Sequence, residues 1–459
     1  MAAGAQRIAE FTSSLDYDDL PDDVVRATTL HVLDALGCGL AADALALAGE
    51  GRAVMAELGE GDSSVIGLGV GLPAPNAAFA NAMLCHGLDF DDTHSDSVCH
   101  ITVAVAPAAI AVAEAGGLSG RELLAAIAAG TETVARIGMA ASGEFHARGF
   151  HPTSVCGVFG AAAAAARLGG LDAEATTRTL GIAGSMSSGL LAFLNDGTPT
   201  KPMHPAWAAH GGAIAARLGA HGAEGPPSVL DGRLGLLQAF VGERQAELAA
   251  QLDDLGTRWE TLRVSYKPYP ACHFMHGSLD ATASLLGEVS ADEIEDVLVT
   301  VPEAVVPSVL EPAGRKFEPR SDYEARFSLQ YSTAAMLVHG RVNLSTYSAA
   351  SLADPQVRDL ARNVRYEIKP YETYPAAFPG GVRIRTKNGR VLEADFAHQL
   401  GAPENPMSEA QVREKFRENA SLALDAASVD ALEEAVCTLD AQDDLRAVFS
   451  HLSTPKVAA

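Results

Sequence analysis

The chain has 459 residues, of which 48% are hydrophobic and 20% charged, so it is long enough to build two packed domains. Its formal net charge of −25 argues against nucleic acid or an anionic membrane as a partner, although a local positive pocket can still bind an anionic substrate. Its N-terminus is not an apolar signal region, and no apolar run reaches the ~20 residues needed to cross a bilayer. The six cysteines form no C-x-x-C pair, which is typical of reduced buried thiols, so we expect a cytoplasmic protein.

The first 270 residues are predicted to be mostly helical. Apolar periodicity and capping residues indicate helices at about 22–40, 123–137 and 160–168. Ser119 and Glu122 form a capping box ahead of the second of these. The many alanines and glycines indicate closely packed helices, which is typical of a bundle.

A fifteen-residue run from His86 to His100 interrupts this helical sequence. It lies between apolar segments at 77–84 and 101–115 and contains His86, Asp89, Asp91, Asp92, His94, Asp96 and His100. Burying so many ionisable groups is unfavourable unless they are paired or used, and a solvated turn does not need three histidines. The run therefore indicates a functional site.

Three further polar positions follow in chain order. His151 precedes a predicted helix, where the helix dipole lowers its proton affinity, and it is either a base or a capping residue. None of the seven lysines occurs before Lys201, and both Lys201 and Lys267 are followed by proline, which disfavours helix. Lys201 has His204 nearby and Lys267 has His273, so these lysines are either exposed loop residues or partly desolvated groups suited to carboxylate binding and proton transfer.

The sequence changes character after about residue 270. Alternating residues predict strands at 297–301, 364–369, 382–386 and 390–396, with a hairpin at Asn388-Gly389, and the segment 348–363 is predicted to be helical. From Ser408, which forms a capping box with Gln411, the chain is helical again. We therefore predict a mainly α protein with a discontinuous helical bundle domain (1–270 and 400–459) and an inserted α+β domain (271–399).

Motifs for metal and cofactor binding are incomplete. The aspartates at 89–92 have no accompanying phosphate-binding loop, and the histidines at 273 and 276 have no partner at ligand spacing. A glycine-rich run at 67–71 lacks the strand–turn–helix context of a dinucleotide site. We therefore expect no metal and no cofactor.

Five motifs then assemble, in order along the chain, into a recognisable set. They are Asp89-Phe-Asp-Asp-Thr93, Gly149-Phe-His-Pro152, Thr200-Lys-Pro-Met-His204, Tyr266-Lys-Pro-Tyr-Pro-Ala-Cys-His273 and Glu324-Ala-Arg-Phe-Ser-Leu-Gln-Tyr331. This set resembles the MmgE/PrpD family, which includes 2-methylcitrate dehydratase, cis-aconitate decarboxylase and iminodisuccinate epimerase. The resemblance implies a helical domain built from both chain ends, a smaller α+β lid, a homodimer and no required metal or organic cofactor.

The resemblance also implies a pocket for a small di- or tricarboxylate. The residues expected to act in catalysis are Asp89, Thr93, His100, His151, Lys201 and Lys267. Those expected to bind substrate are His94, His204, His273 and Tyr331. His94 remains a rival of His100 for the role of the active-site histidine.

Lysines and histidines in such a pocket neutralise carboxylates and stabilise the charge that forms when a neighbouring carbon loses a proton or CO₂. We therefore expect a cofactor-independent lyase of the dehydratase or decarboxylase type, with an epimerase as the alternative and a non-catalytic carboxylate-binding protein as a third hypothesis. Bacterial 2-methylcitrate dehydratases carry Asn where this chain has Asp91, and a His-Pro-Ser-Asp run where it has Cys99-His-Ile-Thr102. The motif is therefore closer to the decarboxylases and epimerases.

Overall fold

The structure, a computed structural model, describes residues 3–194, 197–242 and 247–453. The chain divides into two compact units. The first unit contains the residues up to Val264 and those from Ser408 onward, and the second runs from Ser265 to Met407. The boundaries predicted from the sequence, at about 270 and 400, lie close to these positions.

The first unit is helical. In chain order its helices before Val264 are α1 (Gly4–Ser14), α2 (Asp22–Ala44), α3 (Gly49–Glu57), α4 (Ala74–Cys85), α5 (Thr102–Gly116), α6 (Gly120–Met139), α7 (Glu144–Ala147), α8 (Pro152–Leu168), α9 (Ala173–Ala183), α10 (Met203–Ala220), α11 (Leu236–Val241) and α12 (Leu248–Leu252). The predicted capping box at the start of α6 is present, because Glu122 N–H donates to Ser119 and Ser119 N–H donates to the Glu122 carboxylate.

Helix α8 is the central helix of this unit, with α5, α6 and α10 packed around it. A Cβ added at Gly160 of α8 would lie 2.3 Å from Val134 Cγ2 and 2.6 Å from the carbonyl oxygen of Gly130, both on α6. Only glycine therefore allows these two helices to approach so closely. The alanines at 161–166 are buried in the same core.

Helix α2 is long and apolar enough to cross a membrane by length and composition alone. However, 78% of its apolar window is buried inside the protein, where it packs against α4. Burial of this kind is what a core helix of a helical bundle shows. All six cysteines, each within the described residues, are free thiols, and five of them are buried.

The second unit combines short helices with a sheet. In chain order its elements are α13 (His276–Ser284), β1 (Ile294–Val301), α14 (Val306–Val309), α15 (Ala313–Phe317), α16 (Asp322–Ala325), α17 (Leu329–His339), α18 (Ala349–Leu352), α19 (Pro355–Ala361), β2 (Val364–Ile368), β3 (Gly380–Thr386) and β4 (Val391–Phe396). Within the described part of the chain, these four strands form one sheet in the order β2-β1-β3-β4. Strand β1 is parallel to β2 and antiparallel to β3, and its Val297 lies opposite Ile384. The sequence prediction of a mainly α fold with an α+β unit is therefore confirmed.

The structure tests the predicted hairpin and the predicted helical segment of this unit. Strands β3 and β4 form the predicted hairpin, in which Gly389 takes the left-handed φ of +86° that favours glycine. The segment predicted to be helical, 348–363, contains two helices, α18 and α19, with a break between them. Pro355 disfavours helical backbone at Asp354, and Asp354 instead caps α19 by accepting from Gln356 N–H at 2.9 Å.

The chain then returns to the first unit through α20 (Glu409–Ala420), α21 (Ala426–Cys437) and α22 (Leu445–Phe449). Helix α20 begins at the predicted Ser408–Gln411 capping box and packs along α2. Phe416 of α20 lies over Gly37 of α2, where an added Cβ would be 3.1 Å from the Phe416 ring.

Candidate active site

The polar run from His86 to His100 is an ordered loop between α4 and α5. His94 and Cys99 exchange backbone hydrogen bonds of 2.8 and 3.3 Å, which closes the end of the loop. His100 N–H donates to Thr153 Oγ1 at 3.0 Å, which attaches the loop to the first turn of α8. The loop therefore presents its side chains from a fixed backbone.

Asp89, His100 and Lys201 form a compact triangle in the first unit. Lys201 Nζ donates to Asp89 Oδ1 at 2.7 Å and lies 3.5 Å from His100 Nε2. His100 Nε2 lies 3.6 Å from the same Asp89 oxygen. Asp89 takes a left-handed φ of +52°, which is uncommon for a residue with a side chain and tends to be retained at functional positions.

Asp91 lies behind His100, and its one carboxylate accepts hydrogen bonds from two histidines. Nδ1 of His86 lies 2.9 Å from both Asp91 oxygens, and Nδ1 of His100 lies 2.9 Å from Oδ2. All three side chains are buried. Burial opposes ionisation of Asp91, but the neighbouring imidazoles of His86 and His100 outweigh it and hold the pKa of this carboxyl well below its usual range.

His100 is neutral at neutral pH. Burial lowers its pKa to about 4, since the opposing attraction of Asp91 is smaller and the nearby positive charge of Lys201 adds to the lowering. An ionised carboxylate can only accept, so the Nδ1 atom of His100 carries the hydrogen. Nε2 is therefore a bare basic nitrogen that faces Lys201.

His151 and His204 form a second imidazole pair. Their Nδ1 atoms lie 3.0 Å apart, so one of the two carries a hydrogen on Nδ1 and the other accepts it. Burial, and then the positive charge of Lys201, lowers the pKa of His151 well below its usual value. Burial likewise lowers the pKa of His204 to about 4. The ring of His151 lies 6.3 Å from that of His100, centroid to centroid, so the two pairs border one site.

Three long helices begin at these residues. His100 stands just before α5, His151 is the N-cap of α8, and Lys201 stands just before α10. Helix N-termini carry partial positive charge and unpaired N–H groups. Together with the Lys201 ammonium they contribute positive potential beside the carboxylates of Asp89 and Asp91. An anionic ligand that takes the place of Asp89 on Lys201 would be stabilised by this potential.

The rival histidine, His94, is placed differently. Its Nδ1 lies 2.9 Å from Ser97 Oγ and its Nε2 lies 3.1 Å from Glu260 Oε2, so protein groups occupy both ring nitrogens. Arg258 and Arg263 contact the same glutamate. The structure therefore brings His100 to Lys201 and pairs His94 with Glu260.

Thr93, which belongs to the same loop, is buried and 7% exposed. Within residues 3–194, 197–242 and 247–453, its hydroxyl has no hydrogen-bond partner. A buried hydroxyl left unpaired is destabilising, by about 1–3 kcal/mol, unless a ligand or water satisfies it. This is consistent with the predicted role of Thr93, which stays a prediction.

Lys267, His273 and Tyr331 lie in the second unit, and all are buried. His273 Nε2 lies 3.4 Å from Gln399 Nε2. Tyr331 donates its hydroxyl hydrogen to the Thr346 carbonyl at 2.8 Å and belongs to the hydrophobic core of this unit. Tyr331 therefore has a structural use there, and its predicted contact with substrate stays a prediction.

Lys415 supports the loop and was not among the predicted site residues. This α20 residue donates to the Phe90 carbonyl at 2.8 Å, and its ammonium lies 2.6 Å from Asp34 Oδ1 on α2. Beside it, His31 Nδ1 lies 2.8 Å from Asp92 Oδ2. The scarcity of lysine was the one sequence signal that could have singled out Lys415.

Four loop residues have donor atoms close enough to be considered for a metal ion, since those of His86, Asp89, Asp91 and His100 all lie within 4.8 Å of one another. Nitrogen and carboxylate donors of this kind suit zinc or another transition metal. In this structure, however, these groups are bonded to one another and to Lys201. An ion would therefore have to displace existing hydrogen bonds.

Comparisons with known proteins place this chain in a family. The sequence models of the N-terminal and C-terminal domains of MmgE/PrpD match residues 6–249 and 269–441. The chain is similar to the cis-aconitate decarboxylase of Homo sapiens, with 30% identity over 97% of this chain and 94% of the relative. It is also similar to the cis-aconitate decarboxylases of Mus musculus, with 30% identity over 98% of this chain and 94% of the relative, and of Aspergillus terreus, with 28% identity over 98% and 95%.

Proposed function

The chain belongs to the MmgE/PrpD family and is a lyase, and we propose that it removes CO₂ from a small unsaturated tricarboxylate of the cis-aconitate type. The observation that carries the proposal is the Lys201 ammonium, held 3.5 Å from the bare Nε2 of His100 where three helices begin. This arrangement combines a carboxylate-binding charge with a proton acceptor. The similar proteins of Homo sapiens, Mus musculus and Aspergillus terreus are decarboxylases, which favours decarboxylation over dehydration.

The reaction requires charge stabilisation and one proton. The bond between a carbon and its carboxylate breaks, and its electron pair forms a new double bond to the adjacent carbon, which is the near carbon of the existing double bond. The electron pair of the existing double bond then takes up a proton at the far carbon, beside a second carboxylate. The product has lost CO₂ and gained one proton, and its double bond has moved to the carbon that carried the lost group.

Each described group has a role in this step. The substrate carboxylates replace Asp89 as partners of the Lys201 ammonium, whose charge stabilises the developing negative charge. Lys201 also supplies the proton to the substrate carbon and becomes a neutral amine. His100 Nε2, at hydrogen-bond distance from the lysine, then takes a proton from solvent water and passes it to the amine, which restores the ammonium. The neutral His151–His204 pair donates a hydrogen bond to a further carboxylate oxygen. Lys267, in the second unit, is proposed to bind a carboxylate as well.

The test is turnover of cis-aconitate by the purified protein, followed by proton NMR in D₂O and by mass spectrometry of the product. We expect loss of CO₂, new terminal methylene signals and one deuterium in the product. Loss of water, from methylcitrate in the same substrate panel, would instead show a dehydratase. Hydrogen exchange without a change in formula, for example with iminodisuccinate, would show an epimerase. Saturable binding without turnover of any of these acids would show a non-catalytic protein.

A further inference from the structure

We propose that Asp91 and His86 are positioning residues that fix the tautomer of His100 and stabilise the positive charge that His100 acquires during proton transfer. This inference rests on the proposed function, because it explains how His100 acts in that reaction. The sequence analysis placed both residues in the polar run but predicted a catalytic or binding role for neither. Both lie behind His100, on the side opposite Lys201.

The hydrogen bonds determine the tautomer. The single carboxylate of Asp91 receives Nδ1 of His100 and Nδ1 of His86, each at 2.9 Å. Because an ionised carboxylate only accepts, both Nδ1 atoms carry hydrogen. The opposite nitrogen of His100, Nε2, is then free to exchange a proton with Lys201 Nζ at 3.5 Å. With its hydrogen on Nε2 instead, His100 would point a donor at the Lys201 ammonium, which is itself a donor. Asp91 would then lose the hydrogen bond from His100.

The buried carboxylate also stabilises charge. When His100 takes a proton on Nε2, the imidazolium is held against Asp91, whose side chain is 1% exposed. Little solvent screens the attraction at this depth, so it is stronger than in water. A carboxylate that orients a histidine and stabilises its cation in this way is the arrangement known from serine hydrolase triads.

His86 keeps Asp91 in the ionised form. A buried carboxylate with a single neutral donor would tend to take up a proton, because burial disfavours its charge. His86 contributes the second donor and packs its ring edge-on against His100, with centroids 4.6 Å apart. In the described ranges its own Nε2 has no hydrogen-bond partner, as expected for a ring whose hydrogen is committed to Asp91. His86 therefore acts through Asp91 and not on the substrate.

The first experiment measures the tautomer directly, without substrate. Long-range ¹H–¹⁵N spectra of protein labelled in histidine distinguish a protonated from a bare ring nitrogen, and the His100 signals are assigned by their absence in His100→Gln. We expect His100 of the wild type to carry its hydrogen on Nδ1. A hydrogen on Nε2 would overturn the proposal, whether or not any variant folds.

The second experiment changes the carboxylate. In Asp91→Asn the amide offers one acceptor and one donor, so we expect either His86 or His100 to move its hydrogen to Nε2. On any substrate that is turned over, kcat should fall on the order of 10²- to 10⁴-fold with little change in KM, because Asp91 does not touch substrate. His86→Gln should lower kcat in the same direction by a smaller factor.

The matched control is Asp92→Asn, which changes the next residue, a buried aspartate paired with His31. It should lower stability and leave the His100 tautomer unchanged. Equal tautomer patterns and equal kcat in folded Asp91→Asn and wild type would overturn the proposal. Absence of decarboxylation with the Nδ1 tautomer present would instead contradict the proposed function alone.

Discussion

Lys201 and Asp89 are joined by a hydrogen bond of 2.7 Å although 112 residues separate them in the chain. The pair connects the residue before α10 with the loop between α4 and α5, and it holds the ammonium beside His100. Each partner satisfies the other before substrate binds. The lysine is therefore preorganised for an incoming carboxylate.

Lys201→Ala should lower kcat/KM at least ~10²-fold, because it removes the charge that binds the carboxylate and stabilises its reaction. Measurement needs steady-state kinetics and circular dichroism to show that the variant is folded. Lys369→Ala is the control, since this exposed lysine pairs with Asp395 on the surface of the second unit. Lys316 would be a poorer control, because its Nζ donates to two carbonyl groups. A folded Lys201→Ala variant that keeps most of its activity would show that Lys201 does not act in catalysis or substrate binding.

Lys267→Ala tests the second predicted lysine. Lys267 lies in the second unit and is only 1% exposed, which is unusual for a lysine. We expect a loss in kcat/KM of at least ~10²-fold, as for Lys201. Thermal melting of the variant separates a functional loss from unfolding. Retained turnover in a stable variant would show that Lys267 has a structural role only.

Exhaustive chelation should leave kcat unchanged. One group of possible metal ligands, His86, Asp89, Asp91 and His100, already satisfies itself and Lys201 by hydrogen bonds. In the second group, His94 is hydrogen-bonded to Glu260 and Asp96 is paired with an arginine. Activity is measured after dialysis against a strong chelator, with elemental analysis of the protein before and after. Activity that disappears and is restored by one divalent cation would contradict this expectation.

The unfolding free energy of Glu114→Gln, relative to that of the wild type, should increase as pH rises from 5 to 7.5. Burial raises the pKa of this carboxyl to about 7, although Ser64 donates to it and partly opposes the shift. The unfolded chain ionises above its ordinary pKa while the folded chain stays protonated, so wild-type stability declines through this window. Glutamine does not titrate, and the difference in unfolding free energy should grow by at most about 1.4 kcal/mol per pH unit.

Urea unfolding at several pH values measures this difference. Glu122→Gln is the control, because bonds from Ser119 lower the pKa of Glu122 and both states are ionised above pH 5. Its effect on stability should therefore stay constant across the window. A constant effect for Glu114→Gln as well would mean that Glu114 is ionised in the folded protein.

Lys415→Met should destabilise the protein by about 3–5 kcal/mol at neutral pH, because it leaves the buried Asp34 carboxylate without its cation. Burial raises the pKa of Asp34 to about 6 even with Lys415 present, so the effect should be smaller at pH 5. Adding Asp34→Asn should restore part of the loss. Denaturant unfolding of the single and double variants checks both statements. A loss of unfolding free energy below about 1 kcal/mol would mean that the Lys415–Asp34 pair contributes no more to stability than a surface ion pair does.

Local sequence signals predicted much of the fold. The Ser119–Glu122 capping box, the Asn388-Gly389 turn and the alternating strands depend on neighbouring residues, and all are present. The segment predicted to be helical at 348–363 is present as two helices, because Pro355 disfavours helical backbone at the residue before it. The boundaries of the other elements shifted by a few residues, since helix ends fray and strands extend with their pairing.

The site was less predictable. Sequence placed His94 and His100 in the same polar loop and could not separate them, because the distinction depends on Glu260 and Lys201, which are far away in the chain. Asp91 was recognised only as a motif residue, since its two histidine partners are visible only in three dimensions. The roles of these residues therefore follow from their burial and from their pairing with distant residues, which the spacing of residues in the sequence does not show.

The bond from Lys415 to the Phe90 carbonyl spans 325 residues and also has a consequence for how the protein is made. During translation, the loop from His86 to His100 emerges from the ribosome long before the cation that supports it. The whole second unit, from Ser265 to Met407, is synthesised in between. A product that terminates after His204 but before residue 415 carries every first-unit site residue yet lacks this support. Functional competence is thereby tied to nearly complete translation, and prematurely terminated chains are expected to be inactive.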